Sequence, residues 1–254
     1  MKNLSSILLI FLALTLYNCN KGDANPNKNA NGKAGSTAKM ITVGHYLYVI
    51  NKSELMVYDV QNSLEPNYVN TVDIGFGIET IFPFGDNLFI GSSTGLYIYN
   101  ITDPTAPVLA TEEPVDHFTA CDPVVANNNY AYVTLNSLRT DCGNTTNVNL
   151  LLTYDISDIE NTTEISSQEM TGPKGLAISD TRLFVCDETE GIVIFDITET
   201  PEHPESIGTI SGFTANDIII DNTLMMVVCE DGLRQYDITD NNNITLLSYI
   251  NTHE

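Results

Sequence analysis

Basic residues are scarce in this chain of 254 residues, which has 10 Lys and Arg against 33 Asp and Glu and a formal net charge of −23. A surface this acidic repels phosphate backbones, so we expect no nucleic-acid partner. High charge of one sign also keeps proteins soluble and opposes association, and we expect a monomer.

Motifs for catalysis and metal binding are also missing. The sequence has no H-E-x-x-H, C-x-x-C, phosphate-binding glycine loop or EF-hand pattern, and its 4 histidines show no metal-ligand spacing. Residues 91–95 match G-x-S-x-G, but they join two predicted strands, whereas a hydrolase nucleophile needs a strand–turn–helix. The acidic runs at 187–190 and 240–243 could make weak contact with calcium, but they lack the alternating oxygens of a calcium loop. We therefore expect no cofactor and no metal site.

A hydrophobic run long enough to span a bilayer is absent as well. The apolar stretch at 7–17 follows Lys2 and is much shorter than the ~20 residues that a transmembrane helix needs. Residues 1–18 therefore have the features of a secretory signal peptide. The segment 16–19 resembles the lipobox of bacterial lipoproteins, in which Cys19 becomes lipidated; the alternative is an ordinary signal peptide with an incidental cysteine.

Large apolar residues are also lacking from Asn20 to Ala38. Such a segment cannot form a core, so residues 19–38 are predicted to be a lipidated cysteine and a flexible tether. We expect an exported protein, anchored by lipid to the bacterial cell envelope at the periplasmic or surface face of the outer membrane. Residues 39–254 have the size of one all-β domain.

The four remaining cysteines divide into two pairs. Export permits disulfides, and Cys121 and Cys142 flank an irregular polar stretch, so we expect a bridge between them. Cys186 and Cys229 end strongly apolar runs, which favours free thiols in the core.

An internal repeat organises the domain. Five similar quintets occur, and their last residues are separated by 41, 55, 41 and 41 positions. They are LMVYD at 55–59, LYIYN at 96–100, LLTYD at 151–155, IVIFD at 192–196 and LRQYD at 233–237. Periods of this length indicate a repeat architecture.

Each repeat contains four short runs rich in Val, Ile, Tyr and Phe between turn residues. In the second repeat they are Thr80–Phe84, Asn87–Gly91, Leu96–Ile101 and Val108–Thr111. Such runs predict antiparallel strands, and four strands per ~40–45 residues is the pattern of one propeller blade. The sequence predicts an all-β, five-bladed β-propeller of four-stranded antiparallel blades.

The quintets resemble the LVIVD repeat, which names a family of exported bacterial and archaeal proteins predicted to be propellers. The resemblance extends over all five repeats; Asn100 and the Arg234-Gln235 pair are its main departures. The absence of tryptophan argues against the WD-type propellers.

The residue that ends each quintet is polar and precedes a turn. Short acidic and amide side chains accept hydrogen bonds from nearby backbone N–H groups, and five symmetric copies cannot converge on one ligand. We therefore predict a structural role in turns for Asp59, Asn100, Asp155, Asp196 and Asp237.

Ligand binding is predicted where the inner strands begin, at one mouth of the central channel. The residues at these starts are Lys39, Glu79, Asp122, Lys174 and Asp217. If they point inward they make a mixed-charge ring that could hold a cation or sugar hydroxyls; the alternative is ordinary turn residues. His117, just ahead of this position in the third repeat, and the insertion around 137–149 are further candidates.

Two functions are compatible with these features. The first is a non-catalytic binding or scaffold module that recognises an extracytoplasmic protein or glycan. The alternative is a hydrolase or lyase that acts on a polysaccharide through channel-mouth carboxylates such as Glu79, Asp122 and Asp217. The absence of a catalytic constellation favours the first.

Overall fold

The computed structural model describes residues 35–92, 95–111, 115–116, 123–136, 148–240 and 242–252. Strands form five antiparallel sheets, each made of consecutive strands in chain order. This confirms the prediction of a five-bladed β-propeller. Within these residues, no helix is long and apolar enough to cross a membrane.

The first three blades contain 13 strands. Blade 1 comprises β1 Met40–Val43, β2 Tyr46–Ile50, β3 Glu54–Asp59 and β4 Asn67–Asp73. Blade 2 comprises β5 Ile78–Phe84, β6 Asn87–Ser92, β7 Gly95–Asn100 and an outer strand in two pieces, β8 Val108–Leu109 and β9 Val115–Asp116. Blade 3 comprises β10 Val124–Asn127, β11 Tyr130–Asn136, β12 Asn149–Asp155 and, after a 3₁₀ turn at Ile159–Asn161, β13 Thr163–Glu169.

The last two blades are regular. Blade 4 comprises β14 Pro173–Ser179, β15 Arg182–Asp187, β16 Gly191–Asp196 and β17 Glu205–Ile210. Blade 5 comprises β18 Ala215–Asp221, β19 Leu224–Cys229, β20 Gly232–Asp237 and β21 Thr245–Asn251. The first strand of each blade is innermost, and successive inner strands contact one another from β1 through β18.

The core lies between blades. Side chains alternate along each strand, so Leu183 and Val185 of β15 pack against blade 3, while Phe184 and Cys186 pack against blade 5. Both faces are buried, which explains why the strands are continuous apolar runs rather than alternating ones. Cys186 and Cys229 are free thiols in the core between blades 4 and 5, as expected for small core residues.

The repeated polar residue is engaged in its own turn in every blade. Its side-chain oxygen accepts a hydrogen bond from the backbone N–H two residues later, at 2.8–3.0 Å. These acceptors are Asp59, Asn100, Asp155, Asp196 and Asp237. In blade 2 a second turn follows, in which Asp103 accepts from the N–H of Thr105 at 3.0 Å.

Residues 35–38, which we call the plug, lie among the inner strands at the end of the channel where those strands begin. Ser36 is only 1% exposed. Its Oγ accepts a hydrogen bond from the N–H of Leu176 in blade 4 at 2.7 Å, and the carbonyl of Ala38 accepts one from Ile81 in blade 2 at 2.9 Å. The predicted tether included these residues. In the structure they belong to the folded domain, because small polar side chains fit against the backbone of the inner strands.

Each blade has a leading face toward the preceding blade and a trailing face toward the next. Four apolar clusters join blades 1–2, 2–3, 3–4 and 4–5. Within the described residues, none joins blade 5 to blade 1. We call the series of five blades the arc; its two end faces, the leading face of blade 1 and the trailing face of blade 5, share no apolar cluster among the described residues.

Candidate functional site

The strand register divides the predicted channel-mouth residues between two positions. Glu79 and Lys174 lie at register irregularities of β5 and β14, a position that Asn216 occupies in β18. Asp217 lies one residue later, the position of Thr80 and Gly175. Side chains at successive positions of a strand point in different directions, so these residues do not form one uniform ring.

Asp217 is engaged by the plug. Thr37 Oγ1 donates a hydrogen bond to its Oδ2 at 2.6 Å, and Ser36 Oγ donates to its Oδ1 at 3.3 Å. The N–H of Ile218 also donates to Oδ1, at 3.0 Å. Burial raises the pKa of Asp217 above its usual value, and these hydrogen bonds oppose that rise.

Lys174 also has a partner within the propeller. Its ammonium group donates a hydrogen bond to Asn216 Oδ1 at 3.0 Å and so links blade 4 to blade 5. Glu79 is partly buried in β5, and Lys39 is exposed just before β1. His117, Asp122, Cys121 and Cys142 lie outside the described residues, as do Cys19 and most of the insertion, so these predictions stay predictions.

The acidic runs are used in turns. Asp187 accepts hydrogen bonds from the N–H groups of Gly172, Thr189 and Glu190, and Asp240 accepts one from Asn242. The part of the chain that the structure describes brings no three His, Cys, Asp or Glu side chains together as a metal site would require.

The opposite end of the channel opens into a cavity of about 760 Å³. The walls are inner-strand residues of blades 2 to 5, and the rim is formed by the turns that follow the inner strands of blades 3, 4 and 5. The wall includes Phe82, Val125, Leu176, Ala177, Ile178, Ile218 and Ile220, and the rim includes Asn127, Asn128, Ser179, Asp180, Asn222 and Thr223. Apolar side chains of the inner strands and polar side chains near the turns thus line the cavity in similar measure.

The rim turns share one backbone conformation. The first turn residue has positive φ in every blade, with values of 59° at Gly44, 56° at Gly85, 44° at Asn128, 24° at Asp180 and 55° at Asn222. Glycine, asparagine and aspartate tolerate this conformation best. Blades 3 to 5 therefore place polar side chains at the rim where blades 1 and 2 have none.

One buried polar atom in this region has no partner. Asn127, which lines the cavity, carries a side-chain Oδ1 that is buried and accepts no hydrogen bond from the described residues. Buried polar atoms of this kind are uncommon, and each one calls for an explanation such as a ligand or a water molecule.

The sequence alone did not predict this cavity, because the rim residues were interpreted only as turn residues. A signal did exist. Aligned repeats show Gly44 and Gly85 where Asn128, Asp180 and Asn222 stand in the last three blades. That replacement of glycine by polar residues on one side of the channel breaks the repeat symmetry.

The sequence model of the LVIVD repeat matches residues 34–74, which contain the plug and blade 1. The predicted LVIVD resemblance is thus confirmed for the first repeat. No curated protein sequence matches the chain closely enough to serve as a relative.

Several solved structures superpose on the chain. The periplasmic gluconolactonase of Pseudomonas aeruginosa does so with a TM-score of 0.62 at 14% identity, covering 82% of this chain and 68% of that one. A candidate 6-phosphogluconolactonase of Bacteroides fragilis gives a TM-score of 0.62 at 15% identity, covering 84% and 69%. A hypothetical selenium-binding protein of Sulfolobus tokodaii gives 0.58 at 13% identity, covering 82% and 59%. At these identities the likeness shows the propeller fold alone.

Proposed function

We propose that this protein is a non-catalytic binding module of the bacterial cell envelope, anchored by lipid at Cys19, that takes a glycan into the channel cavity. The cavity is the observation that carries this proposal: about 760 Å³, with an apolar wall and a rim of amides, hydroxyls and one carboxylate. These rim groups supply both donors and acceptors, which suits the hydroxyl groups of a sugar.

The wall of the cavity adds to the case for a carbohydrate. Phe82 is partly exposed and lines the cavity, so its ring is available to pack on the apolar face of a sugar. A periplasmic gluconolactonase shares the fold, which makes carbohydrates the first ligand class to test.

A binding role is favoured over hydrolysis by the charges at both ends of the channel. Asp180 is the single carboxylate among the described residues that line the cavity, whereas glycoside hydrolysis ordinarily uses a pair. At the other end, both oxygens of Asp217 accept hydrogen bonds from the plug. No observation in the described residues favours the hydrolase alternative.

The position of the plug also suits display from a membrane. The predicted tether leads directly into residue 35, which lies against Asp217 in the first half of the innermost strand of blade 5. The cavity opens at the opposite end, so an anchor at Cys19 would leave the cavity facing away from the lipid.

The proposal is tested by removing the rim side chains without straining the backbone. The triple variant Asn128→Gly, Asp180→Gly, Asn222→Gly keeps residues that accept positive φ, as blades 1 and 2 already do. We expect binding to an immobilised glycan panel, followed by calorimetry on the best glycan, to weaken at least about tenfold through the lost hydrogen bonds.

Gly44→Asn is the matched control. A Cβ at Gly44 would meet no atom within 4 Å, and Gly44 does not line the cavity, so this variant should bind like the wild type. Binding that survives the triple variant unchanged, or no binding to any glycan of the panel, would reject the cavity as a glycan site. Release of shortened products from a bound glycan would favour the hydrolase alternative.

A further inference from the structure

The two end faces of the arc are apolar surfaces that lack the coverage of the internal faces. The leading face of blade 1 carries Met40, Leu47, Val49, Met56 and Tyr58, none of which is fully buried. Met40 is 58% exposed, whereas its register equivalents Ile81, Val124, Leu176 and Ile218 are all 0% exposed.

The trailing face of blade 5 shows the same contrast. Val228 is 45% exposed, whereas its equivalents Ile50, Thr134 and Cys186 are 4%, 0% and 0% exposed. Ile219, Met226 and Leu233 lie on the same face and are only partly buried. Contiguous apolar surface of this kind marks an interaction site.

The two end faces are a trailing face and a leading face, the same pair of faces that forms each internal core. Each of the four internal cores is made by the trailing face of one blade and the leading face of the next. The trailing face of blade 5 and the leading face of blade 1 are the remaining members of the same series. Neither is built to pack on a copy of itself, but each fits the type of face that the other presents.

Among the described residues, the segment that precedes blade 1 does not cover these faces. The segment from Asn20 to Ala38 contains no large apolar residue. The plug lies among the inner strands, bonded to Ile81 in blade 2, Leu176 in blade 4 and Asp217 in blade 5. The arc would have to expel the plug to close more tightly. In addition, the superposition matches 68% of the gluconolactonase chain, so about a third of that chain has no counterpart in this one.

We propose that the end faces bind a second copy of this chain head to tail, with blade 5 of one copy packed on blade 1 of the other. The contact continues the blade-to-blade interface already present four times within each chain. It is a heterologous contact, which closes into a ring when both end faces of both copies are used. The acidic composition predicts a monomer, and this proposal is the alternative to that prediction. This inference is independent of the glycan proposal.

Net charge sets a condition on this assembly. Each chain carries −23, so two copies repel each other, and salt screens that repulsion. We therefore expect association to strengthen between physiological and threefold higher ionic strength.

Sedimentation velocity on the wild-type protein and three variants tests the interface. Met40→Asp and Val228→Asp each place a carboxylate on one end face, and we expect the dissociation constant to rise at least about 100-fold. Both positions are exposed, so the variants should fold, which circular dichroism verifies. Leu64→Asp is the matched control, because Leu64 is 90% exposed in the turn after β3; it should associate like the wild type.

Disulfide trapping identifies the direction of the contact. A mixture of Met40→Cys chains and Val228→Cys chains should form a mixed disulfide dimer that neither variant forms alone, above the background of the oxidised wild type. A wild-type protein that stays monomeric at all concentrations overturns the proposal. So does a chain carrying both substitutions that forms only an intrachain disulfide, because the arc would then close on itself.

Discussion

Replacement of Tyr132 by alanine is expected to lower the free energy of unfolding by about 4 kcal/mol. Tyr132 is 0% exposed in the core between blades 3 and 4. Its hydroxyl donates a hydrogen bond to the carbonyl of Pro201 at 2.8 Å, in the turn after the third strand of blade 4. The change would leave a large cavity and remove a bond between two blades, and urea unfolding followed by fluorescence or circular dichroism would measure it.

Tyr132→Phe is the control that separates packing from hydrogen bonding. Phe89 and Phe184 occupy the equivalent positions of blades 2 and 4 and are also 0% exposed, so a phenyl ring suits this site. We expect a loss of only about 1 kcal/mol, the usual net contribution of one hydrogen bond. Equal losses for the alanine and phenylalanine variants would contradict the packing role.

Removing both hydroxyls of the plug is expected to have the second largest effect. In Ser36→Ala, Thr37→Ala, the partly buried Asp217 loses two donors and the N–H of Leu176 loses its acceptor. We expect about 3 kcal/mol of destabilisation at neutral pH, because unpaired buried groups cost roughly 1–3 kcal/mol each. Urea unfolding at fixed pH would measure the loss.

The destabilisation caused by the double substitution should depend on pH, and the burial of Asp217 sets the direction of that dependence. Burial raises the pKa of Asp217 in the folded state, so its stabilising contribution is complete below the unfolded pKa and is lost as pH rises through the folded pKa. The plug hydroxyls favour the charged form and limit that loss. The difference in free energy of unfolding between the wild type and the double variant should therefore grow from about 1 kcal/mol near pH 4 to about 3 kcal/mol near pH 7.

Asp217→Asn supplies the control for the pH effect. In that background the group no longer ionises, so the cost of removing the plug hydroxyls should become independent of pH. A pH dependence like that of the wild type in the Asp217→Asn background would show that another group is responsible.

The repeat and its strands were determined by the sequence, because the interactions that set them are local. The polar residue of each quintet bonds an N–H only two residues away, and the predicted strand Asn87–Gly91 differs from the observed Asn87–Ser92 by one residue. Hydrophobic runs bounded by turn residues are sufficient to predict such hairpins. Five copies of one pattern then require five similar sheets.

The plug could be found only in the tertiary structure. Residues 35–38 have the composition of a linker, and Thr37 meets Asp217 across a separation of 180 residues. No local pattern reports a contact at that distance. For the same reason the sequence interpretation placed Asp217 in an open channel mouth, where the structure has the plug hydroxyls bound to it.

The exposure of the two end faces could likewise be found only in the tertiary structure. Blade 1 has the same apolar pattern as blades 2 to 4, and blade 5 departs from it in its third strand, at Arg234 and Gln235. Nothing in either pattern marks Met40 or Val228 as exposed while their equivalents are buried. Composition determines that a face is apolar. Whether that face is covered depends on the curvature of the arc and on the plug inside it, which are properties of the assembled fold.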